Sequence, residues 1–523
     1  MKSFLFKTLI ALISALTIMG CARDYDLTYQ DGFNPIEGLD SSEMLIDTSM
    51  SIIDRSKMNS ARIYPGLVDM DVARLTNVNV ELDMSVLPQT NTAYRIQVSQ
   101  IPAFSVGLYA PPGELIKIEV PQGIFGLSVQ VGVHRDNLSA IQSPRRDPII
   151  FTRKALNPGV NYVRNPYGGL IWIIASIPYK NPVSLKFTGV VKSTDFVLGV
   201  SNDEDWKKEV MASKVPWLEL RSPSIAFSLP LEKMKIYLRD NILKSPTELM
   251  TEWEAVFGED FYAWMGFKDG GSDVGLIDLK PKTPERFVLD IHPVVGYAHS
   301  GSPVIAQDDR AWFSEVVDLN VIREGGAWGT AHEFGHNYQQ PNIWSWNGMG
   351  ETTNNLFIFK IAERHGNRVG QHPQVRAQFP VAVISASERG NDILANVATP
   401  RHANHHASGN PFYKIAPFAQ IFHKLRDLGD PTNDRFGWNF MPYLYSQARH
   451  AEFLSVSDID KRDFFYEALC EYGKQDFQLF FKAWDIKLSE YSMSRMAEKY
   501  PAMKTKIWEY QPLTGVGGDA QIN

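Results

Sequence analysis

The feature that most constrains the fold of this chain is the pentapeptide from His332 to His336, His-Glu-Phe-Gly-His. Its two histidines are four residues apart, so in a helix they lie one turn apart on the same face. Both imidazoles can then reach one ion at about 2.0 to 2.1 Å. Glu333 follows the first histidine, where it can take a proton from an attacking water and pass it to a leaving amine. The segment therefore predicts a helix that carries a zinc site and a general base.

A catalytic zinc site needs a third protein ligand, and Glu351 is the candidate. Fourteen residues separate His336 from Glu351, and they include one proline and two glycines that would end the first helix and turn the chain. A second helical stretch is predicted from Glu351 to His365. This helix-turn-helix with a glutamate ligand is the gluzincin arrangement. The metzincin pattern is excluded, because it requires Gly and His where the chain has Gln339 and Asn342.

Short alternating apolar runs, broken by Pro and Gly, characterise residues 61–200. The clearest of them cover residues 93–98, 115–120, 127–133 and 170–174. This spacing predicts a β-sandwich domain.

Helical signals follow, among them Ser245 and Pro246 as an N-cap and first-turn pair. A zincin catalytic domain is predicted over 201–410, and a helical C-terminal part over 411–523. The predicted fold class is thus multidomain α+β: an N-terminal β-sandwich, a zincin-like catalytic domain and a helical C-terminal part.

The first residues resemble an export signal, with Lys2 and Lys7 ahead of an apolar run too short to span a bilayer. Residues 1–20 are predicted to be a lipoprotein signal peptide, with Cys21 as the lipidated new N-terminus and 21–60 as a tether. The alternative is an ordinary secretory signal with a chance cysteine. We expect an outer membrane lipoprotein, at the cell surface of a Gram-negative bacterium, that meets the membrane through its lipid anchor only. Periplasmic or external orientation stays open.

The charge of the chain argues against one class of partner. The formal net charge is −7, so no basic field exists to attract a polyanion, and nucleic acid is not an expected partner.

The segment from Trp328 to Gln339, followed by Trp344 and then Glu-Thr-Thr-Asn-Asn-Leu-Phe from Glu351, resembles the enhancin-like family of mucin-degrading zinc metallopeptidases. Segments 107–114, 146–150, 165–170 and 296–303 are similar to other parts of that family. The resemblance implies His332, His336 and Glu351 as ligands of Zn²⁺, with Glu333 as the base. It also implies glycoprotein substrates, O-glycosylated and mucin-like, that are cut in the peptide backbone.

Four residues are candidates for the substrate cleft: Tyr297, His299, Trp328 and Asn355. Residues 297–303 precede the catalytic helix by about thirty residues, where zincins place the edge strand that pairs with extended substrate; a buried loop is the alternative. Asn355 is also a candidate to accept the outer N–H of a ligating histidine; a helix-surface asparagine is the alternative. Trp328, Trp344 and Trp346 could stack on sugars, although core packing explains at least one of them better.

A donor for the developing oxyanion is also needed beside the metal. His299, His405, His406 and Tyr413 are the candidates, and the sequence does not rank them.

The sequence thus predicts a secreted, lipid-anchored zinc endopeptidase that cleaves glycoproteins. Two alternatives stay open: a surface glycan-binding lipoprotein without turnover, and a broad-specificity zinc peptidase. A pure binder has no need for three ligands together with Glu333.

Overall fold

The computed structural model describes residues 61, 64–85, 88–271, 274–325, 327–366, 411–425, 437–510, 516–519 and 521. The predicted signal peptide, Cys21, the tether, His405 and His406 lie outside the described residues, as does the side chain of Tyr413. Among the helices that are described, none combines the length and apolar character needed to cross a bilayer.

Two antiparallel sheets form the N-terminal part. Their strands are β1 (Val78–Leu82), β2 (Ala103–Ala110), β3 (Leu115–Val120), β4 (Leu127–Val131), β5 (Thr152–Leu156), β6 (Gly159–Arg164), β7 (Gly169–Ala175), β8 (Val183–Thr188) and β9 (Val191–Lys192). One sheet has the order β1-β8-β3-β6 and the other the order β5-β4-β7-β2-β9. Apolar side chains of both sheets share one core, as in a β-sandwich.

The alternation in the sequence explains these strands. In β3 Ile116 and Ile118 are buried in the sandwich core, whereas Lys117 and Glu119 face outward and form an ion pair. Each fully buried aliphatic side chain contributes about 1.5 to 3 kcal/mol. Strand β7 is buried at every position. One of its faces meets the sandwich core, and the other, with Trp172, packs on the predicted catalytic domain.

One expected strand is wrong. Residues 93–98 begin with the last two residues of the helical turn α1 (Asn91–Tyr94) and continue as irregular chain. The hydroxyl of Thr90 accepts from Ala93 N and caps the turn, and Arg95 in the left-handed region ends it. The amides of Gln97 and Val98 then donate to the carbonyl of Asn337, so this segment bonds to the catalytic helix and not to a sheet.

A third, mixed sheet lies at the centre of the catalytic part. Its strands are β10 (Phe196–Val197), β11 (Trp217–Arg221), β12 (Ile225–Pro230), β13 (Glu285–Asp290), β14 (Ala298–His299) and β15 (Val304–Gln307). The order is β10-β11-β12-β13-β15-β14, with β13 parallel to β15 and β14 antiparallel to it. Strand β14, inside the segment expected to bind substrate, is therefore an edge strand.

Helices surround this sheet and make up the C-terminal part. They are α2 (Asp203–Ala212), α3 (Leu231–Arg239), α4 (Pro246–Ala255), α5 (Arg310–Val317), α6 (Leu319–Gly325), α7 (Trp328–Asn337), α8 (Gly350–Thr353), α9 (Leu356–Arg364), α10 (Pro411–Lys424), α11 (Phe440–Arg449), α12 (Asp458–Gly473), α13 (Gln478–Ala483) and α14 (Glu490–Lys499). As predicted, Ser245 caps α4 and Pro246 occupies its first turn. The predicted fold class is confirmed.

The single helix expected from Glu351 to His365 is instead two, α8 and α9, with a turn at residues 354–355. The side-chain nitrogen of Asn355, Nδ2, donates to the backbone carbonyl of Glu351, a bond that competes with the helical backbone ladder. The break lies directly beside the candidate metal site.

Candidate metal centre

The N-terminus of the catalytic helix α7 is capped by a side chain from another helix. Its N-cap residue, Ala327, is in the left-handed region and offers no side-chain acceptor. Glu315 of α5 supplies the missing acceptor. Its carboxylate accepts from the amides of Gly329 and Thr330 at 3.1 and 2.9 Å, and it lies 3.2 Å from the Thr330 hydroxyl oxygen. A carboxylate at this end is also favoured by the helix dipole. Glu315 therefore fixes where α7 begins.

We expect Glu315→Ala to lower the free energy of unfolding by about 2 kcal/mol, because it leaves two amides of the first turn without their acceptor. The measurement is urea unfolding. Glu324 lies exposed on the neighbouring helix α6, so Glu324→Ala is the matched control, with an expected change below about 0.5 kcal/mol. Equal losses in the two variants would contradict the capping role.

The close approach of α7 and the turn after α8 depends on a glycine. A Cβ at position 335 would collide with the backbone of Asn354, so a larger residue there would push the two segments apart. Gly335 thus allows Glu351, on α8, to come next to the histidines of α7.

The three predicted ligands converge. His332 Nε2 lies 3.2 Å and His336 Nε2 lies 3.5 Å from the same carboxylate oxygen, Oε2 of Glu351. All three ligand atoms lie within 4.8 Å of one another. Ligands bound to one zinc at 2.0–2.1 Å with tetrahedral angles are about 3.3 Å apart. The separations from Glu351 therefore fit such an ion, and imidazole with carboxylate is a donor set that suits zinc better than magnesium or calcium.

The outer ring nitrogens are held by oriented amides. His332 Nδ1 lies 2.7 Å from Asn355 Oδ1, and His336 Nδ1 lies 3.0 Å from Gln339 Oε1. The amide nitrogen of Gln339 donates to the carbonyl of Gly350 and to the Thr353 hydroxyl, which leaves its oxygen to accept. Both histidines thus have the proton on Nδ1 and the Nε2 lone pair toward Glu351, the tautomer that binds a metal.

Asn354 supports the same assignment for His336. Its Nδ2 lies 3.0 Å from His336 Nε2, and an amide nitrogen can only donate, so Nε2 carries a lone pair.

The candidate base is buried beside charged neighbours. Glu333 is 9% exposed, and burial raises the pKa of its carboxyl, whereas His332, His336 and His299 oppose that rise. When His332 and His336 are protonated they donate from Nε2 to Glu351, and these hydrogen bonds hold the pKa of its carboxyl well below the usual range. The two glutamates therefore have separate environments: one suits proton transfer and the other suits a permanently ionised ligand.

The cleft candidates lie in different places. Tyr297 is 70% exposed on the segment of β14, and Trp328 is partly exposed with its ring 6.2 Å from that of His332. Asn355 is buried, behind His332 and away from the cleft. Trp344 and Trp346 are buried and belong to the core. Among the described residues, Trp328 beside His332 and Tyr297 beside β14 are aromatic side chains that a substrate can reach.

His299 has acceptors at both ring nitrogens. Nε2 lies 2.9 Å from Asp136 Oδ2, and Nδ1 lies 2.8 Å from the carbonyl oxygen of Ser300. Burial lowers the pKa of His299, but these two bonds and the charge of Asp136 outweigh it and hold the pKa above its usual value. A ring that donates from both nitrogens is an imidazolium with no N–H left for an oxyanion, which argues against His299 as the oxyanion donor.

Two histidines one turn apart, a glutamate between them and a second glutamate from the next helix define a class, the gluzincin metallopeptidases. Comparison of the sequence with known families agrees. The family described as peptidase M60, enhancin and enhancin-like, matches residues 189–485, and the N-terminal domain of M60-like peptidases matches residues 88–188. The chain belongs to the M60 enhancin-like family, which confirms the resemblance seen in the sequence.

Curated relatives include TRPM8 channel-associated factor 1 of Bos taurus, 24% identical over 73% of this chain and 37% of the relative. TRPM8 channel-associated factor 3 of Mus musculus is 26% identical over 70% of this chain and 39% of the relative. The chain spans about two fifths of the length of these relatives.

Solved structures share the fold. A functionally unknown conserved protein from Bacillus anthracis has a TM-score of 0.67 at 19% identity, covering 85% of this chain and 84% of that chain. The ZmpB metallopeptidase from Clostridium perfringens has a TM-score of 0.64 at 16% identity, covering 84% and 83%. IMPa from Pseudomonas aeruginosa, solved in complex with an O-glycopeptide, has a TM-score of 0.61 at 19% identity, covering 84% of this chain and 53% of that chain.

Proposed function

We propose that this chain is a zinc endopeptidase that cleaves the peptide backbone of glycoproteins, with O-glycosylated, mucin-like proteins as its substrates. The observation that carries the proposal is the convergence of His332, His336 and Glu351 on one point, with Glu333 buried on the same helix between the two histidines.

The chemistry follows from the residues. His332, His336 and Glu351 would hold the metal, and Asn355 and Gln339 favour the tautomer of the two imidazoles that binds one. A zinc ion bound there would supply Lewis-acid chemistry, which polarises a carbonyl and lowers the pKa of water. Glu333 takes the proton of the attacking water on its carboxylate and delivers it to the nitrogen of the leaving amine. Burial raises the pKa of the Glu333 carboxyl, and a base with a higher pKa takes up a proton more readily.

The glycoprotein substrate is supported by the family and by the surface beside the site. The Pseudomonas aeruginosa neighbour was solved with an O-glycopeptide, and 53% of that chain shares the fold described here. Trp328 presents aromatic surface beside His332, and Tyr297 presents an exposed ring beside β14. Such rings offer flat apolar area together with polar edges. These two side chains are the proposed contacts for a sugar.

We also propose that the protein acts as a lipoprotein at the outer membrane, anchored through Cys21. The support is the signal-like sequence of residues 1–20 and the small residue before the cysteine.

A glycan-binding lipoprotein without turnover is the weaker alternative. Binding alone requires neither Glu333 nor amides that orient two histidines toward a common point, and the chain has both.

The test is zinc content and metal-dependent cleavage of the mature chain. We expect about one zinc per chain by elemental analysis, and cleavage of a mucin-type glycoprotein that stops with a chelator and returns with zinc. His336→Ala should lose both. The matched control is His450→Ala, since His450 is exposed and pairs with Asp278 away from the ligands. Less than about a tenth of an equivalent of zinc, or cleavage that survives the chelator, would exclude the proposal.

A further inference from the structure

The β-sandwich reaches into the catalytic part through the loop between β4 and β5, residues 132–151, which we name the clamp loop. It contacts the segment between β13 and β15, residues 291–303, which we name the edge segment because it contains edge strand β14.

Asp136 makes the central contact of the clamp loop. One carboxylate oxygen, Oδ2, accepts from Val294 N at 2.7 Å and lies 2.9 Å from His299 Nε2. Asp136 is buried at 7% exposure, so water does not compete freely for these bonds. The carboxylate thus ties the first part of the edge segment to the strand at its centre.

Other contacts of the clamp loop extend the same attachment. Arg135 Nη1 donates to the carbonyl of Ser302 at 2.6 Å, and Arg145 N donates to His292 Nδ1 at 2.9 Å. At the base, Arg146 and Asp290 form a fully buried ion pair at 2.7 Å, at the end of β13. The edge segment is therefore held from the β-sandwich at residues 292, 294, 299 and 302.

The catalytic helix holds the edge segment from the other side. Asn337, the residue after the second histidine, accepts from Gly301 N and donates to Gly301 O, both at 2.9 Å. Its side chain is buried, and helix α7 packs against β14. The edge segment thus lies between two fixed attachments, one to the helix of the histidines and one to Asp136.

We propose that Asp136 is a positioning residue for catalysis, which sets the place of edge strand β14 relative to the ligand cluster, and that the β-sandwich is thereby a working part of the active site. The proposal rests on the proposed function, because it assumes that an extended peptide pairs with the outer edge of β14. Misplacement of a substrate by about 1 Å can cost about 10²-fold in rate, so a contact remote from the chemistry can have a large effect.

The test compares Asp136→Ala and Asp136→Asn with Asp147→Asn as control. Asp147 is in the clamp loop, but its carboxylate bonds to Tyr167 within the β-sandwich. The substrate is a peptide with one N-acetylgalactosamine on threonine. We expect kcat/KM of Asp136→Ala to fall about 10- to 100-fold, mostly through KM, with zinc content unchanged. The asparagine keeps an acceptor for Val294 N and should recover most of the activity, and Asp147→Asn should match the wild type.

Hydrogen exchange separates positioning from general loss of stability. In Asp136→Ala, amide exchange should rise at least about tenfold in residues 294–302 and stay unchanged in α7 and in β3. Uniformly faster exchange in both domains, or kcat/KM within about twofold of the wild type, would overturn the proposal. If the wild type leaves the glycopeptide intact, the proposed function fails. If amide exchange in residues 294–302 is unchanged in Asp136→Ala, Asp136 does not hold the edge segment and the proposal is overturned.

Discussion

Replacing Glu333 by glutamine is expected to lower kcat by at least about 10²-fold while zinc stays bound, because the amide keeps the shape of the side chain and cannot take up a proton. The fold should tolerate the change. Glu333 is buried and its pKa is raised by burial, so a neutral group at this position removes a desolvation cost. A loss of activity in Glu333→Gln would therefore report chemistry and not unfolding.

Glu351→Ala is the informative partner of this variant. It removes the carboxylate that both histidines approach, so it should lose zinc as well as cleavage. Glu324→Gln, exposed on α6, is the control for a change of charge alone. Zinc by elemental analysis and kcat on a glycopeptide are the measurements. Wild-type kcat in Glu333→Gln would assign the proton transfers to another group, and zinc retained in Glu351→Ala would remove Glu351 from the ligand set.

Local sequence patterns were sufficient for the elements that carry the site. The spacing of His332 and His336 places both on one face of α7, and Gly348, in the left-handed region, turns the chain before Glu351. Strand β3 has the bounds expected from its alternation, because each inward side chain meets the sandwich core. These features depend on neighbours within a few residues, which a sequence displays directly.

Residues that support the site from a distance were missed. Glu315 caps α7 from 15 residues away, and Asp136 reaches His299 across 163 residues. A buried carboxylate of this kind looks in the sequence like any polar residue of a loop or helix. Its partner is fixed by tertiary packing, so no local pattern marks it.

Gln339 has a local sequence signal for its contact with the site. In the sequence it excluded the metzincin pattern, whereas in the structure it accepts from His336 Nδ1. Its position three residues after a ligating histidine, at the end of a helix, could have suggested this contact. The strand predicted at 93–98 is absent for a similar reason: the amides of Gln97 and Val98 bond to Asn337, a partner that alternation cannot identify.

The dependence on sugar is expected to be the largest effect of all. A site built to hydrogen-bond sugar hydroxyls leaves buried polar groups unpaired when the sugar is absent, and such penalties reach about 10⁴-fold in specificity. We therefore expect one synthetic peptide to be cut next to a threonine that carries a single N-acetylgalactosamine, and the same peptide without the sugar to be cut up to about 10⁴-fold more slowly. Mass spectrometry locates the cut in both forms.

Two exposed tyrosines allow a test of where the sugar binds, through the ratio of the cleavage rates of the sugared and bare peptides. Tyr297 is 70% exposed beside β14, and Tyr491 is 73% exposed on the C-terminal helix α14. If Tyr297 contacts the sugar, Tyr297→Ala should reduce the ratio of rates for the two peptides by about tenfold, the value of one lost aromatic contact, whereas Tyr491→Ala should leave it unchanged. Equal rates on the sugared and bare peptides in the wild type would leave a zinc peptidase but remove its glycoprotein specificity, and the broad-specificity peptidase would then be the correct description.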